Sequence, residues 1–147
     1  MNRMLFLKNI PLFQFLSLDD LLIIDEALTQ KGFLAGESIF CEGSLGAEFC
    51  IVYRGSVLIR KKIGGTEQEL ARLGPEECFG EMALFDDSPR SATAMALTDC
   101  TLLTLERSRF NSLLTQRPEM ALEVCRVLSL RLRAANERLG TQAQVAH

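Results

Sequence analysis

The chain has 147 residues, a net charge of −3 and a pI near 5.2, with 48% hydrophobic and 24% charged residues. That length sets one domain with a core of its own, and that composition excludes wholesale disorder. The acidic balance argues against a basic nucleic-acid-binding surface, and a lone histidine, His147, argues against histidine-based metal sites and Ser-His or Cys-His catalysis. Five cysteines (Cys41, Cys50, Cys78, Cys100, Cys125) never fall as C-x-x-C and sit among apolar neighbours. They read as small buried hydrophobes in a reducing compartment, with no zinc site. No apolar run approaches the roughly 20 residues of a membrane span, and no cleavage signal follows the apolar start, so a cytoplasmic location is expected.

The predicted elements begin with a helical segment over 1–32. Ser17 is the expected N-cap, Asp19 and Asp20 fill the first turn, and Leu18, Leu21, Leu22 and Leu28 supply the apolar face. Ile10-Pro11-Leu12-Phe13 reads as a packed turn, and Gly32 as the end of the segment. Over 33–106 short β-type runs alternate with glycine-marked turns: 49–53, 56–59, 69–73, 92–96 and 101–105, with Gly64-Gly65 as a hairpin turn. This spacing fits a small antiparallel barrel or sandwich. Helical period returns over 107–139. Ser108 is the expected cap of a short helix and Pro118 the start of a longer one, which Gly140 ends before a tail over 140–147. The long helix carries two stripes, Cys125/Leu128/Leu132/Ala135/Leu139 and Met120/Val124/Val127/Leu130/Ala134, one for the parent fold and one for a partner helix. A single broad core-facing stripe on a monomer is the alternative.

The stretch that carries chemistry is Phe79-Gly80-Glu81-Met82-Ala83-Leu84, a spacer Phe85-Asp86-Asp87-Ser88, then Pro89-Arg90-Ser91-Ala92-Thr93. Gly80 permits close backbone approach, Glu81 to Leu84 can form a turn whose free N–H groups face an anion, and Arg90 offers a planar fork for phosphate oxygens. Ser91 adds a hydroxyl. An acid such as Glu81 repels phosphate, so its natural partner is a sugar hydroxyl; phosphate and hydroxyl together make a nucleotide. The bland alternatives are that Glu81 is a surface acid at a helix start and that Arg90 pairs with Asp86 or Asp87. Arg131 and Arg133 either reach a bound base or solvate the helix, with solvation the expectation, and Arg60-Lys61-Lys62 reads as an exposed strand end. Adjacent acids (Glu76-Glu77, Asp86-Asp87) have no positioned partner, so no catalysis is expected.

The sequence FGEMAL, FDDS, PRSAT resembles the phosphate-binding cassette of the cyclic nucleotide-binding domain family, of the catabolite-activator and protein-kinase-A regulatory type, and AGESIFCEGSLGAEFCIVYRGSV resembles its early barrel strands. The resemblance implies a mainly β, α+β fold: an antiparallel jelly-roll barrel (33–106, cassette 79–93) flanked by N-terminal helices and a long C-terminal helix. It implies that Glu81 accepts from the ribose 2′-hydroxyl and that Arg90 pairs with the exocyclic phosphate oxygens. Gly80, Met82, Ala83 and Ser91 would offer backbone N–H groups, Phe79 and Ala92 would complete the cassette, and Asn136, beside Ala135, would meet the base. The implied ligand is cAMP, with cGMP as the alternative, and the implied role a bacterial regulatory sensor whose C-terminal helix moves. Its partners would be an effector protein or a second copy through that helix. The alternatives are the sensing fragment of a transcription factor, channel or kinase, or a ligand-free interaction module. Seven residues after Gly140 cannot hold a helix-turn-helix.

Overall fold

Ser17 caps the second helix as its sequence dictates: its Oγ accepts from the Asp20 N–H at 3.2 Å. In the computed structural model the helices are α1 (Asn2–Lys8), α2 (Leu18–Ala27), α3 (Arg107–Gln116) and α4 (Pro118–Ala146), with a 3-10 turn at Pro11–Phe13. The strands are β1 (Thr29–Phe33), β2 (Ser38–Phe40), β3 (Glu48–Arg54), β4 (Val57–Ile63), β5 (Thr66–Leu73), β6 (Cys78–Phe79), β7 (Thr93–Ala96) and β8 (Cys100–Glu106). The structure describes residues 2–146, and the side chains of residues 3–140; His147 lies outside the described residues.

The strands form two four-stranded antiparallel sheets, β1-β8-β3-β6 and β2-β7-β4-β5. They do not close into the expected barrel: among the described residues no ladder joins one sheet to the other. Gly64 and Gly65, both at positive φ, turn the β4–β5 hairpin, whose register closes at Ile63 opposite Thr66. Alternation along β3 explains why it reads as a continuous apolar run. Phe49 and Ile51 face a helical layer, whereas Cys50 and Val52 face the second sheet, so both sides are buried. β8 does the same with Leu103 and Leu105 against the helices and Leu102 between the sheets.

The helical layer comes from both ends of the chain. Leu7, Ile10, Phe13, Leu21 and Ile24 from the N-terminal helices pack with Phe110, Met120 and Val124 from α3 and α4 on the outer face of β3 and β8. Buried Asp20 receives the Arg117 guanidinium, with Nε and Nη2 both 2.7 Å from Oδ1, and ties α2 to the start of α4.

Several local expectations are corrected. Leu18 and Leu22 of α2 are exposed, and the buried face is Asp20, Leu21 and Ile24. Gly32 does not end the helical region; it lies inside β1, opposite Thr101. Ser108 is not a cap. Glu106 is the N-cap residue without a side-chain bond, because the Arg107 N–H is fixed to the Ala47 carbonyl at 2.7 Å and the helix starts there. Gly140 does not stop α4, which runs through it to Ala146 at the modest penalty of a helical glycine. Cys41 and Cys125 are exposed rather than buried. Of the two α4 stripes, Met120, Val124, Val127 and half-buried Leu128 meet the core, while Leu130, Leu132 and Leu139 face outward.

Candidate functional site

β6 ends at Phe79, and Gly80 takes a left-handed backbone (φ 75°) that turns the chain into a 3-10 turn over Glu81–Leu84. Ala83 and Leu84 are buried beneath this turn, and Met82 is exposed above it. The spacer that follows is clamped by Arg107 from the start of α3. Arg107 Nη1 donates to the Asp86 carbonyl at 2.5 Å and to the Ala83 carbonyl at 3.4 Å, and Nη2 pairs with the Asp87 carboxylate at 2.6 Å. The Asp86 carboxylate accepts the Ser88 N–H at 3.0 Å. Both acids are thereby occupied away from Arg90.

Arg90 forms no ion pair among the described residues. Its backbone is pinned to the β2–β3 loop, N–H to the Ser44 carbonyl and carbonyl to the Gly43 N–H, each at 2.8 Å. Its Nη2 donates to the Glu48 carbonyl at 2.9 Å, and its guanidinium carbon lies 4.1 Å from the centre of the Phe40 ring. Its Nε is buried without a hydrogen-bond partner. Two glycines leave room for it: a Cβ on Gly46 would stand 2.3 Å from Arg90 Nε, and one on Gly80 2.7 Å from Nη1. Gly80 therefore clears space for the arginine side chain, where the sequence reading assigned it to a ligand.

These groups border a cavity of about 500 Å³ whose wall includes Phe79, Gly80, Glu81, Met82, Ala83, Arg90, Ser91 and Ala92. Eight of the nine residues expected from sequence thus meet in one place. Asn136, exposed on α4, does not line it, and Ala135 is half-buried. Of the four backbone N–H groups expected to face a ligand, that of Ala83 is already engaged by the Gly80 carbonyl at 3.1 Å. Sequence reasoning missed Phe40 and Ile59, which bring apolar surface from the second sheet, and Arg131, which lines the cavity from α4. Arg131 is not left to solvent as expected: its Nη1 pairs with the Glu81 carboxylate. No spacing rule could have found that contact, because the two residues stand 50 positions apart.

Two thiols lie beside the cassette, Cys78 next to Phe79 in β6 and Cys50 opposite Phe79 in β3. Burial pushes Cys50 up to about 12, and burial, with the Glu81 charge in second place, pushes Cys78 up to about 12. Both are neutral packing groups rather than nucleophiles. Among the described residues no group of three or more metal-ligating side chains comes together, and no helix is long and apolar enough to cross a membrane.

The family model for the cyclic nucleotide-binding domain covers residues 30–117. The chain belongs to the cyclic nucleotide-binding domain family. It is similar to the cyclic AMP receptor protein of Thermus thermophilus, 37% identical over 134 residues, covering 90% of this chain and 62% of that one. The N-terminal domain of a transcriptional regulator from Streptomyces coelicolor superposes with a TM-score of 0.85 at 33% identity, over 91% of this chain and 94% of that one. The regulatory domain of Toxoplasma gondii PKA, a co-crystal structure with cAMP, superposes with a TM-score of 0.73 at 28% identity, over 91% of this chain and 48% of that one. The chain spans less than two thirds of the length of the curated receptor proteins it matches. These cyclic nucleotide-binding relatives are regulators rather than enzymes, in line with the expectation of no catalysis.

Proposed function

We propose that this chain is a cytoplasmic cAMP-binding regulatory module that signals through α4. The observation that carries the reading is the state of Arg90: a guanidinium on the cavity wall, held by one carbonyl and one ring, with no carboxylate among the described residues to neutralise it. A cavity-lining cation in that state binds the charge of a cyclic phosphodiester, and an arginine fork suits its two exocyclic oxygens. Glu81 on the same wall accepts from the ribose 2′-hydroxyl. The names of the relatives favour cAMP over cGMP.

The Glu81–Arg131 pair supplies a route to α4. A 2′-hydroxyl that engages Glu81 changes the terms on which Arg131 is held, and with it the position of the helix that carries Arg131. Ligand biases α4 only by its different affinity for the two helix arrangements. In the bound arrangement α4 closes toward the base on the side that carries Arg131.

The output surface is the outward face of α4. Leu122, Cys125, Ser129, Leu132, Asn136 and Leu139 are all exposed and follow one another at intervals of three and four. That heptad row is the seam of a two-helix coiled coil, with Asn136 as the polar a-position group that fixes register. A second copy of the chain is the reading this row supports; an effector protein or a further domain would take the same face.

Titration calorimetry of the purified chain with cAMP and with cGMP tests the reading. Tight binding of cAMP, weaker binding of cGMP, and a loss of about 1.5–3 kcal/mol in Arg90→Leu, the scale of a charged hydrogen bond, are expected. No heat with either nucleotide, or unchanged affinity in Arg90→Leu, refutes it.

A further inference from the structure

The segment from β2 into β3 builds the seat of Arg90 almost alone. Gly43 and Ser44 hold the Arg90 backbone from both sides, Gly46 leaves space at Nε, and the Glu48 carbonyl accepts from Nη2. The part of the guanidinium left over lies on the Phe40 ring, 4.1 Å from its centre. Phe40 is itself set in place: it closes β2 opposite Ala94 of β7, after a register shift from Ser38, and leans on Phe79 of the cassette with ring centres 5.7 Å apart.

A carboxylate would hold this arginine more strongly, but it would also neutralise it and occupy its donors. An aromatic face attracts the cation through its quadrupole and accepts none of its in-plane N–H groups. From this geometry we infer that Phe40 is the positioning residue for nucleotide binding: it orients the Arg90 guanidinium by stacking, so that the cation keeps its charge and its outward donors for the phosphodiester. The inference rests on the reading of Arg90 as the phosphate group of the site. Phe40 also lines the cavity, so it couples two tasks: it walls the pocket with apolar surface and it aims the charge.

The test is calorimetry with cAMP on Phe40→Leu, Phe40→Tyr and Arg90→Lys, and on Phe40→Leu combined with Arg90→Lys. Leucine keeps the apolar wall and removes the ring; tyrosine keeps the ring. Phe40→Leu should lose about tenfold in affinity, toward the upper part of what a desolvated guanidinium–ring contact supplies, and Phe40→Tyr should stay within about threefold of the parent. Lysine retains the charge without the stacking plane, so in the Arg90→Lys background Phe40→Leu should change affinity by less than about threefold. Should Phe40→Leu not fold, Phe40→Met carries the same expectations. Equal losses for Phe40→Leu in both backgrounds mean that the ring acts only by packing and overturn the inference, as does parent-like affinity in Phe40→Leu. An Arg90→Leu protein that binds cAMP as the parent does overturns the phosphate assignment itself, and that outcome is separate because it needs no Phe40 variant.

Discussion

Arg131 of the C-terminal helix closes an ion pair on Glu81 of the cassette, joining that helix to the cavity wall. The pair is half-exposed, with side-chain exposures of 44% and 21%, so its weight lies in connection more than in stability. Exposed pairs contribute about 0.2–1 kcal/mol.

Arg131→Gln should accordingly leave the melting temperature of the unliganded chain within a few degrees of the parent. Amide exchange in α4 beyond Leu128 should quicken, because packing on the core ends there. Hydrogen-exchange mass spectrometry reads both regions at once. An α4 as protected in Arg131→Gln as in the parent would show that the helix is held by other contacts.

Glu81→Ala removes the acid from the cavity wall and should weaken cAMP by a charged-hydrogen-bond increment of about 1.5–3 kcal/mol. The 2′-deoxy analogue, which lacks the donor, should bind parent and variant alike. Parallel titrations with the two nucleotides decide the ribose assignment.

Gly46→Ala isolates the seat of Arg90 from the fold. Gly46 is absent from the positive-φ positions, so alanine fits its backbone, yet the new methyl would fall 2.3 Å from Arg90 Nε. The guanidinium must move. We expect a folded protein with a melting temperature near the parent and an affinity for cAMP reduced by roughly 1–2 kcal/mol, the scale of a misplaced charged hydrogen bond. Gly80→Ala should instead lose stability as well, about 1–2 kcal/mol for its left-handed φ of 75°. Thermal denaturation beside calorimetry separates the two glycines.

The buried thiols set an alkaline limit. Cys50 and Cys78 titrate near 9 in an unfolded chain and are pushed up to about 12 in the fold by burial. Their stabilising neutral form is fully present below pH 9 and its advantage is lost as pH rises from 9 toward 12, at roughly 1.4 kcal/mol per pH unit per fully shifted group at most. Urea melts between pH 8 and 11 should show a steeper decline for the parent than for Cys50→Ala. Iodoacetamide at pH 8 should label exposed Cys41 and Cys125 well before Cys50 and Cys78.

Leu132→Asp places a charge in the middle of the outward α4 row and should yield a monomer, whereas Asn136→Leu should tighten self-association and relax its register. Sedimentation of both variants with and without cAMP measures the effect.

The strands that the sequence makes legible, β3, β4, β5, β7 and β8, are those with apolar runs or alternation and glycine-marked ends. β1 and β6 escape notice, and β2 is legible only through the family resemblance of 35–57, for physical reasons. Thr29–Phe33 is polar, carries a glycine at its fourth position and is held by backbone pairing to β8; Ser38–Phe40 and Cys78–Phe79 are too short to show a period. The cassette itself is readable because glycine, acid and arginine are compressed into one loop. Arg131 and Phe40 are not, because they reach that loop from a helix and a strand distant in the chain, and only tertiary packing brings them there. Likewise Asp86 and Asp87 look like natural partners for Arg90 until Arg107 and the Ser88 amide are seen to occupy them.

The shared helical layer has a practical consequence for dissecting the molecule. Residues 30–117 carry the family signature, yet the outer face of β3 and β8 is covered by side chains from both before and after that segment, Leu7, Phe13 and Ile24 on one side and Met120 and Val124 on the other. Excised at those limits, the signature region would bare that sheet face to water and leave Arg117 without Asp20. The smallest autonomous unit is therefore larger than its hallmark, and recombinant truncations should retain α1, α2 and the first three turns of α4 to stay soluble.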